Sequence, residues 1–251
     1  MRIALIADIH ANLPAVETVL ADISQRGVDA IYHLGDLVGY APWPNEVIEL
    51  LTKRAIMGVA GNYDSTVASD YKHCGCRYED AQQERLSHIS YDWTRTFTSS
   101  ASKRVLGALP FRLDLRAGHL PGSRIVLVHG TPTLNTVYWT EDRSDTFVRE
   151  MIAAAGARAG DLIAFGHTHV PWTRVVDGVR LVNAGSVGRP KDGDWRACYA
   201  LIHFAKDDAA TVEFVRVEYD VERAAAGIVE SGLPAEFSDY LRTGGQPSAV
   251  R

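Results

Sequence analysis

The order of apolar and polar positions in the first third of the chain predicts alternating strands and helices. Short apolar runs at residues 2–8, 29–36 and 55–62 are typical of buried strands. Between them, residues 14–27 and 45–54 repeat their apolar positions at helical spacing. Strands joined by helical crossovers of this length pair in parallel, so the pattern predicts an α/β sheet covered by helices.

The pattern becomes helical and polar, with scattered aromatic residues, between positions 65 and 110. No strand pattern interrupts this stretch, so we expect a helical insertion over the sheet. The segment from Gly244 onward is rich in glycine and small residues. We therefore expect one domain over residues 1–243 and a flexible tail at 244–251.

Strands resume in the second half, where two hairpins are also expected. Apolar runs at 111–116, 123–130 and 161–167 predict strands, and residues 144–156 predict a helix. Asp177-Gly178, between β-branched runs within 173–185, is typical of a two-residue hairpin turn. A second hairpin is expected from the strand patterns 196–204 and 210–219, so this half is predicted to be antiparallel.

Composition narrows the possible partners and the compartment. The chain has 251 residues, of which 46% are hydrophobic and 23% charged, as in folded domains. Its formal charge is 26 minus 31, or −5, and no basic run occurs, so a long nucleic acid is not expected as a partner. No apolar run approaches the roughly 20 residues that span a bilayer, and no signal peptide is recognised. We expect a cytoplasmic protein without a membrane partner; the oligomeric state stays open.

The three cysteines, Cys74, Cys76 and Cys198, are too few for a disulfide framework. An odd count fits a reducing compartment, so we expect free thiols. The segment HCGC at 73–76 has no second thiol pair at zinc-finger spacing, and a structural zinc site is therefore the less favoured alternative.

Potential metal ligands follow the predicted strands. A single such residue is usually a turn former, a helix cap or a hydrogen-bonded loop residue. Several carboxylates at one sheet edge would repel each other and raise each other's pKa, and a cation removes that penalty. The candidates are Asp8, His10, Asp36, Asn62, Asp64, His129, His167 and His169.

The donor types indicate which ions would bind. Carboxylate, amide and imidazole groups without thiolates suit manganese, iron, zinc, nickel or magnesium, with manganese or iron favoured. His167 and His169 are separated by one residue, and alternate residues of an extended segment point to opposite sides. The two rings would then reach two different ions, which predicts a dinuclear site.

Five short blocks carry a resemblance to a known family. They are DIH (8–10), GDLVG (35–39), GNYD (61–64), VHG (128–130) and GHTH (166–169), in that order. Together they resemble the calcineurin-like metallophosphoesterases, and the segment after GHTH looks like their small bacterial branch of phosphodiesterases and diadenosine tetraphosphatases. The resemblance spans residues 1 to about 205. It implies a four-layer α/β/β/α sandwich of two mixed sheets.

The resemblance also implies roles for individual residues. One metal would be held by Asp8, His10, Asp36 and His169, with Asp36 bridging to a second metal on Asn62, His129 and His167. Two such ions would activate water for in-line hydrolysis. The implied substrates are small phosphorylated molecules such as nucleotides, with phosphodiester or phosphoanhydride bonds, and dinucleoside polyphosphates are among them.

Tyr63 departs from the family pattern. Many relatives have at this place a histidine that is thought to assist the leaving group. The ordinary pKa of tyrosine, near 10, makes it a poorer proton donor at neutral pH. For the neighbouring Asp64, an orienting role beside the metals and a simple helix cap are equally open.

Substrate contacts are expected from the loop that follows GHTH. Arg189, Lys191 and Arg196 surround its glycines, and guanidinium groups suit phosphate oxygens. The alternative is a solvated loop in which Asp192 and Asp194 neutralise these cations.

Three aromatic residues near the ligand blocks, Tyr40, Tyr138 and Trp139, could stack on a nucleobase, although such residues more often pack loops onto the core. Two other functions stay open. One is a binding or scaffold protein on the same fold, as in the retromer subunit that resembles these enzymes, but every expected ligand position is retained here. The other is a nuclease of the same superfamily, which the net negative charge disfavours.

Overall fold

The computed structural model describes residues 1–78, 80–116, 124–204 and 210–246. Within them the chain forms two five-stranded sheets and a set of helices. In chain order the elements are β1 (Arg2–Ile6), α1 (Leu13–Arg26), β2 (Ala30–His33), α2 (Pro44–Lys53), β3 (Met57–Gly58), α3 (Asn62–Ala68), α4 (Ala81–Phe97), α5 (Ser100–Gly107), β4 (Leu113–Arg116), β5 (Arg124–Leu127), α6 (Asp145–Ala155), β6 (Leu162–Phe165), β7 (Trp172–Val176), β8 (Val179–Asn183), β9 (Ala197–His203), β10 (Thr211–Val217), α7 (Val221–Glu230) and α8 (Glu236–Thr243).

Both sheets are mixed. The first has the order β10-β9-β1-β2-β3, with β1, β2 and β3 parallel and β9 antiparallel to its neighbours. The second has the order β4-β5-β6-β8-β7, with β5, β6 and β8 parallel and the outer strands antiparallel. The carboxyl ends of the parallel strands in each sheet meet at one edge, and the loops that carry the candidate ligands leave from these edges.

The alternation of side chains along the central strands defines four layers. In β1, Ile3 and Leu5 pack with residues of β5, β6 and β8 in a core between the sheets. Ala4 and Ile6 face the other way and pack against helices α1, α2, α7 and α8. Helix α6 covers the outer face of the second sheet through Val148. The molecule is therefore the α/β/β/α sandwich of two mixed sheets that the family resemblance implies.

The prediction that the second half is antiparallel is wrong for its central strands. The hairpins β7-β8 and β9-β10 are antiparallel as expected. However, β5, β6 and β8 pair in parallel, because α6 carries the chain from β5 to β6 and the β7 hairpin brings β8 back beside β6. The second hairpin joins the first sheet through β9 and β1, and residues 205–209 of its connection lie outside the described residues.

The predicted insertion contains α4 and α5 and no strand in its described part. Leu86 and Tyr91 of α4 and Leu106 of α5 join the core beneath the helices of the first sheet. No described helix is long and apolar enough to cross a membrane. Gly244 and Gly245 begin the predicted tail but pack against the loop at 189–196, and residues 247–251 lie outside the described residues.

The prediction of free thiols is wrong for two of the three cysteines. Cys74 and Cys76 form a disulfide, and Cys198 is free and buried. Gly75 lies between the paired cysteines with φ +73°, a left-handed conformation that glycine adopts without strain and that turns the chain between them. The expectation of a reducing compartment, drawn from the odd cysteine count, therefore loses support.

Candidate metal centre and phosphate pocket

Seven of the candidate ligands, here called the ligand rim, converge where the strands end. Its two carboxylates share one arrangement. Asp8 Oδ2 accepts the backbone N–H of His167 at 2.9 Å, and Asp36 Oδ1 accepts that of Tyr63 at 2.9 Å. The other oxygen of each faces the imidazoles: Asp8 Oδ1 lies 3.4 Å from His169 Nε2, and Asp36 Oδ2 lies 3.5 Å from His129 Nε2. The rim consists of Asp8, His10, Asp36, Asn62, His129, His167 and His169.

Three imidazoles of the rim are oriented by backbone carbonyls. The Nδ1 atoms of His10, His129 and His169 lie 3.1, 2.7 and 2.5 Å from the carbonyl oxygens of Val38, Leu34 and Arg189. A carbonyl only accepts, so each Nδ1 carries the hydrogen and each Nε2 turns toward the rim. This is the arrangement in which histidines bind metals through Nε2.

The chemistry of these donors fits a pair of cations. His10 Nε2 and His169 Nε2 lie 3.1 Å apart, and both are acceptors in the neutral rings, so they repel unless a positive charge lies beside them. Asp8 Oδ1 is fully buried and has no hydrogen-bond partner among the described residues. A buried carboxylate oxygen and two facing lone pairs are the donor set expected of a divalent metal site.

Two groups of three ligands stand out in this arrangement. In each group the donor atoms lie within 4.8 Å of one another; the groups are Asp8 with His10 and His169, and Asp36 with His129 and His167. Asp36 Oδ2 also lies 3.8 Å from His10 Nε2, so this carboxylate stands between the groups.

His167 and His169 therefore lie in different groups, as expected, but not for the reason expected. Their φ values are +67° and +62°, which means that the segment is not an extended strand. The left-handed conformations of His167 and His169, separated by Thr168, direct the two rings to different groups. The sequence argument relied instead on side chains that alternate along an extended strand.

Burial and neighbouring charges determine the protonation of the rim. Burial lowers the pKa of His10 and of His167 to about 3 and that of His169 well below its ordinary value, so these rings are neutral. Burial also disfavours a charge on His129, but the Asp36 carboxylate outweighs it and raises the pKa of His129 to about 9.

The two rim carboxylates differ in their titration. Burial raises the pKa of Asp8 to about 8, against the attraction of His129. Burial also opposes ionisation of Asp36, but His129, and after it His10, bring its pKa down to about 2. Without a metal, the protonated His129 beside Asp36 supplies part of the positive charge that these carboxylates require. A divalent cation held by His129 Nε2 would replace that proton and supply more charge.

Asn62 turns its carbonyl oxygen to the second group. Its amide nitrogen donates to the carbonyl oxygen of Cys74 at 3.0 Å and contacts Cys76 Sγ at 3.4 Å. These bonds fix which end of the amide faces inward, and Oδ1 lies 3.1 Å from His129 Nε2. The disulfide segment therefore orients a rim residue, a contact that the sequence did not reveal.

Both interpretations of Asp64 describe part of its geometry. Asp64 Oδ2 accepts the N–H of Gly61, the N-cap of α3, as the third residue of a capping box does. Its Oδ1 accepts the N–H of Leu37 at 2.9 Å and so ties the loop after β2 to the loop after β3. Asp64 is buried and belongs to neither ligand group.

The backbone of the rim is locally strained. Five rim residues adopt a left-handed φ, which non-glycine residues rarely do and which costs on the order of 1–3 kcal/mol each. Such strain persists only where the surroundings dictate the conformation, and here the backbone carbonyls and carboxylates do so. The residues are Asp8 (φ +51°), His10 (+48°), Asp36 (+54°), His167 (+67°) and His169 (+62°).

The rim opens into one pocket, to which the insertion contributes. The insertion residues of this pocket were not predicted from the sequence, because a polar helical pattern does not show which face of a helix covers the site. The pocket is lined by His10, Asp36, Asn62, His167, His169, Tyr40, Tyr63, Tyr138, Arg189 and Lys191, and, from the insertion, by Cys76, Arg77, Tyr78, Gln83 and Ser87.

Tyr63 lies at the bottom of this pocket and is only 1% exposed. Its ring packs against Gly39, where a Cβ atom would come within 2.7 Å of the tyrosine Cδ1. Burial, and after it the neighbouring Tyr40, raise the pKa of Tyr63 well above the ordinary value of a phenol. The hydroxyl is therefore an even weaker acid than the sequence suggests.

The predicted phosphate contacts separate in the structure. Arg189 and Lys191 line the pocket. Arg196 is not among the pocket residues; its guanidinium pairs with Asp194 at 2.7 Å, and Asp192 pairs with Arg216. Arg196 thus follows the alternative of a neutralised loop, whereas Arg189 and Lys191 face the rim.

Packing disfavours stacking on a nucleobase at two of the three candidate aromatic residues. Trp139 is fully buried and stacks on Phe165 with ring centroids 4.5 Å apart, so it belongs to the core. The face of Tyr40 is covered by the Arg189 guanidinium, 3.9 Å from the ring centroid. Tyr138 lines the pocket and packs on His167 at 4.2 Å.

The fold, the order of the ligands and the paired groups define a metallophosphoesterase architecture, and comparison with known proteins agrees. The calcineurin-like phosphoesterase superfamily domain matches residues 1–207, and the chain belongs to that superfamily. The superfamily and a relative named as a phosphodiesterase support a phosphoric ester hydrolase, and the chain falls in the small bacterial branch that the resemblance indicates.

Three relatives illustrate the match. The chain is 31% identical to the uncharacterized protein MJ0912 of Methanocaldococcus jannaschii over 96% of this chain and 98% of that protein. It is 26% identical to phosphodiesterase YfcE of Escherichia coli K12, over 80% of this chain and 87% of that enzyme. The chain is also 30% identical in sequence to a metallophosphoesterase from Sphaerobacter thermophilus whose crystal structure is known. The match covers 97% of this chain and 99% of that protein, and the two structures superpose with a TM-score of 0.74.

Proposed function

We propose that the protein is a phosphoesterase that depends on two divalent metal ions and hydrolyses phosphodiester or phosphoanhydride bonds of small phosphorylated substrates. The observation that carries this proposal is the pair of ligand groups on either side of Asp36. When bound, two divalent ions supply Lewis acidity, which acidifies a water nucleophile and neutralises phosphoryl oxygens. One ion would be held by Asp8, His10 and His169, and the other by Asn62, His129 and His167. Asp36 would contribute to both sites.

The residues of the chain have distinct tasks in this reaction. Asn62 is a neutral ligand, so the rim keeps a net positive charge for an anionic substrate once the ions are bound. Arg189 and Lys191 provide further positive charge at the pocket and bind the phosphate oxygens that the ions leave free. Asp64 keeps the loops that carry Asp36 and Asn62 in register, without touching the substrate.

Tyr63 determines which leaving groups are favoured. A buried phenol with a raised pKa does not readily donate a proton to a departing alkoxide. A phosphoanhydride expels a phosphate, and an aryl diester expels a phenoxide, both of which leave as stable anions. We therefore expect dinucleoside polyphosphates and activated aryl diesters to be better substrates than alkyl monoesters.

The test combines metal analysis with a substrate panel. The purified protein is treated with a chelator, reloaded with manganese, iron, zinc, nickel or magnesium, and assayed with bis-p-nitrophenyl phosphate, diadenosine tetraphosphate and an alkyl monoester. We expect about two bound ions per chain by elemental analysis, loss of hydrolysis after chelation and recovery after reloading. Hydrolysis at the untreated rate by the chelated protein would contradict the metal mechanism, and a preference for the alkyl monoester would contradict the leaving-group argument.

A further inference from the structure

Arg189 is a buried cation whose guanidinium donors remain available. Arg189 is only 7% exposed. In the described part of the chain, its hydrogen bonds are made by its backbone: the N–H donates to Ser186 Oγ at 2.8 Å, and the carbonyl accepts from His169 Nδ1 at 2.5 Å. The acidic residues of its loop, Asp192 and Asp194, pair instead with Arg216 and Arg196. Arg189 therefore orients a rim histidine with its carbonyl and offers a positive charge to the pocket with its side chain.

Aromatic rings surround this guanidinium. Its central carbon lies 3.9 Å from the ring centroid of Tyr40, 5.4 Å from that of Tyr240 and 5.8 Å from that of Phe237, all within the range of a cation–π interaction. Phe237 also packs edge-on against Tyr40, with centroids 5.3 Å apart. Two of the three rings belong to α8, which thus helps to determine where the positive charge of Arg189 lies.

The end of α8 also packs against the backbone of the loop at 189–196. The N–H of Gly193 donates to the carbonyl of Gly244 at 3.0 Å. A Cβ at Gly244 would lie 2.6 Å from backbone atoms of Asp194, and one at Gly245 would lie 2.8 Å from Lys191 Cα. Only glycines permit this approach, because both residues also have left-handed φ values, +62° and +83°.

Helix α8 is itself firmly attached to the domain. Ser238 Oγ donates to the carbonyl of Ala225 in α7 at 3.0 Å, and Arg242 forms a two-pronged ion pair with Glu222 at 2.8 and 2.9 Å. Phe237 and Leu241 are buried in the core that covers the first sheet. Both helices follow residue 207, where the match to the superfamily domain ends, so this support comes from outside the matched domain that carries the rim.

We propose that α8 is a positioning element of the phosphate site: Phe237 and Tyr240 hold the Arg189 guanidinium toward the pocket, and Gly244 and Gly245 hold the loop that carries it. The proposal rests on the proposed function in taking the bound anion to be phosphate. Neither aromatic residue touches the substrate; each acts through Arg189. Their substitution should therefore weaken phosphate binding while leaving the bound metal and the maximal rate nearly unchanged.

The first experiment compares Tyr240→Leu with Tyr240→Phe in the full-length, metal-loaded protein. Leucine keeps apolar bulk but removes the ring, so KM for bis-p-nitrophenyl phosphate and the dissociation constant of inorganic phosphate should rise roughly 2- to 30-fold, the range of one cation–π contact. Phenylalanine keeps the ring face and should restore values near wild type. Calorimetric titration with inorganic phosphate gives the affinity independently of turnover, and elemental analysis verifies the metal content.

A double-mutant cycle separates positioning from general stability. In an Arg189→Ala background, Tyr240→Leu should have no further effect on phosphate affinity, because the side chain through which it acts is gone. If the two substitutions add independently, the proposal is overturned. The same holds if Tyr240→Leu and Tyr240→Phe change affinity equally, or if Tyr240→Leu lowers kcat and leaves KM unchanged.

The second experiment uses a matched pair of glycines, one between α7 and α8 and one directly after α8. Gly244→Ala and Gly232→Ala both place alanine at a left-handed φ, +62° and +79°, but Gly232 has no atom within 4 Å of an added Cβ. Gly244→Ala should weaken phosphate binding, whereas Gly232→Ala should not; equal affinities for the two variants would overturn the proposal.

The outcomes also distinguish this inference from the proposed function. Suppose that wild type binds phosphate, that Tyr240→Leu weakens this binding and Tyr240→Phe does not, but that no phosphate ester is hydrolysed. This result would disprove the function and support the inference. Wild type that hydrolyses esters while every α8 variant binds phosphate as wild type does would support the function and overturn the inference. Wild type that binds no phosphate would overturn the inference as well.

Discussion

The ligand rim and the Arg189 side chain line the same pocket but are held in place by different interactions. The rim is held by short hydrogen bonds to the backbone: Asp8 and Asp36 each accept an N–H, and the rings of His10, His129 and His169 face carbonyl oxygens. The Arg189 side chain is held by the faces of aromatic rings, which permit a wider range of positions.

This difference separates two tasks. Metal ligands need positions accurate to a few tenths of an ångström, and directional hydrogen bonds between elements of the sheets provide them. A guanidinium that binds phosphate tolerates more movement, because several oxygens can accept its donors. Changes in the rim should therefore abolish the chemistry, and changes around the loop should mainly alter affinity.

The largest effect is expected from Asp36→Asn, which removes the charge between the ligand groups. Bound metal and phosphodiesterase activity should fall at least about 10²-fold, more than for loss of a residue that only supports a ligand. The fold should survive, since the asparagine oxygen can still accept the Tyr63 N–H. Elemental analysis and kcat measure the effect. Asp70→Asn, at an exposed carboxylate paired with Lys103, is the control and should change neither. Wild-type metal content and rate in Asp36→Asn would show that the rim does not act as proposed.

Gly61→Ala should damage the rim without replacing a ligand. Gly61 has φ −79°, which alanine adopts freely, but its Cβ would lie 2.0 Å from Asp36 Oδ1. Displacement of this carboxylate should reduce metal affinity by roughly 10- to 100-fold. Overpacking should also cost about 1–3 kcal/mol of folding free energy.

Gly107→Ala is the matched control for that variant, because its Cβ would lie an ordinary 3.6 Å from Ala68 Cβ. It should keep wild-type metal affinity. Titration of metal into the chelated proteins, together with urea unfolding, compares the two. If Gly61→Ala binds metal as tightly as Gly107→Ala, the rim is more adaptable than its hydrogen bonds indicate.

On the loop, Arg189→Ala and Arg196→Ala should differ. Loss of the Arg189 guanidinium should raise KM for a phosphodiester by roughly 10- to 100-fold, as for a lost hydrogen bond to a charged group, with little change in bound metal. Arg196 pairs with Asp194 away from the pocket, so its removal should change KM less than about 2-fold. Steady-state kinetics under one metal loading tests both, and equal effects of the two substitutions would contradict the separation seen here.

Tyr63→His should have a smaller and selective effect. The imidazole could donate a proton to a poor leaving group, so the rate for an alkyl monoester should rise several-fold, below the roughly 10² of a well-positioned general acid. Rates for diadenosine tetraphosphate and a nitrophenyl diester should hardly change. Tyr63→Phe is the control and should leave all three rates near wild type, because the buried hydroxyl is not expected to donate. Equal improvement of all three substrates by Tyr63→His would refute the leaving-group argument.

His33 should affect stability and leave activity unchanged, although it is a buried histidine of the same sheet edge. Burial lowers its pKa from 6.5 to about 4, and it belongs to neither ligand group. Between these values the unfolded chain binds a proton that the folded chain does not, so stability falls as pH decreases from 6.5 to 4, by about 3 kcal/mol in total.

His33→Gln removes this titration. Urea unfolding of the metal-free proteins between pH 4 and 8 should show a weaker loss of stability at low pH in the variant than in wild type. Parallel pH profiles for the two proteins would mean that His33 does not contribute, and a change in kcat at pH 8 would mean that it is coupled to the rim.

Much of the site could be predicted from the sequence, because the ligands follow strands and the strands are recognisable from their apolar runs. Asp8, Asp36 and His129 directly follow such runs, and parallel strands bring their ends to one edge. The parallel pairing of β6 with β8 could not be predicted, since it depends on how the β7 hairpin returns to the sheet. The disulfide of Cys74 and Cys76 was also missed, because it depends on the turn at Gly75.

The sequence by itself determined the α/β class, the order of the metal ligands and the substitution of Tyr63 for histidine, because these depend on local periodicity and on residue types. Only the tertiary structure decided which cations reach the pocket. Arg189 and Arg196 look alike in the sequence, yet one lies against three aromatic rings and the other pairs with Asp194. The environment of Arg189 is set by Tyr40 and by α8, segments far from it in the chain, and local patterns do not encode such packing.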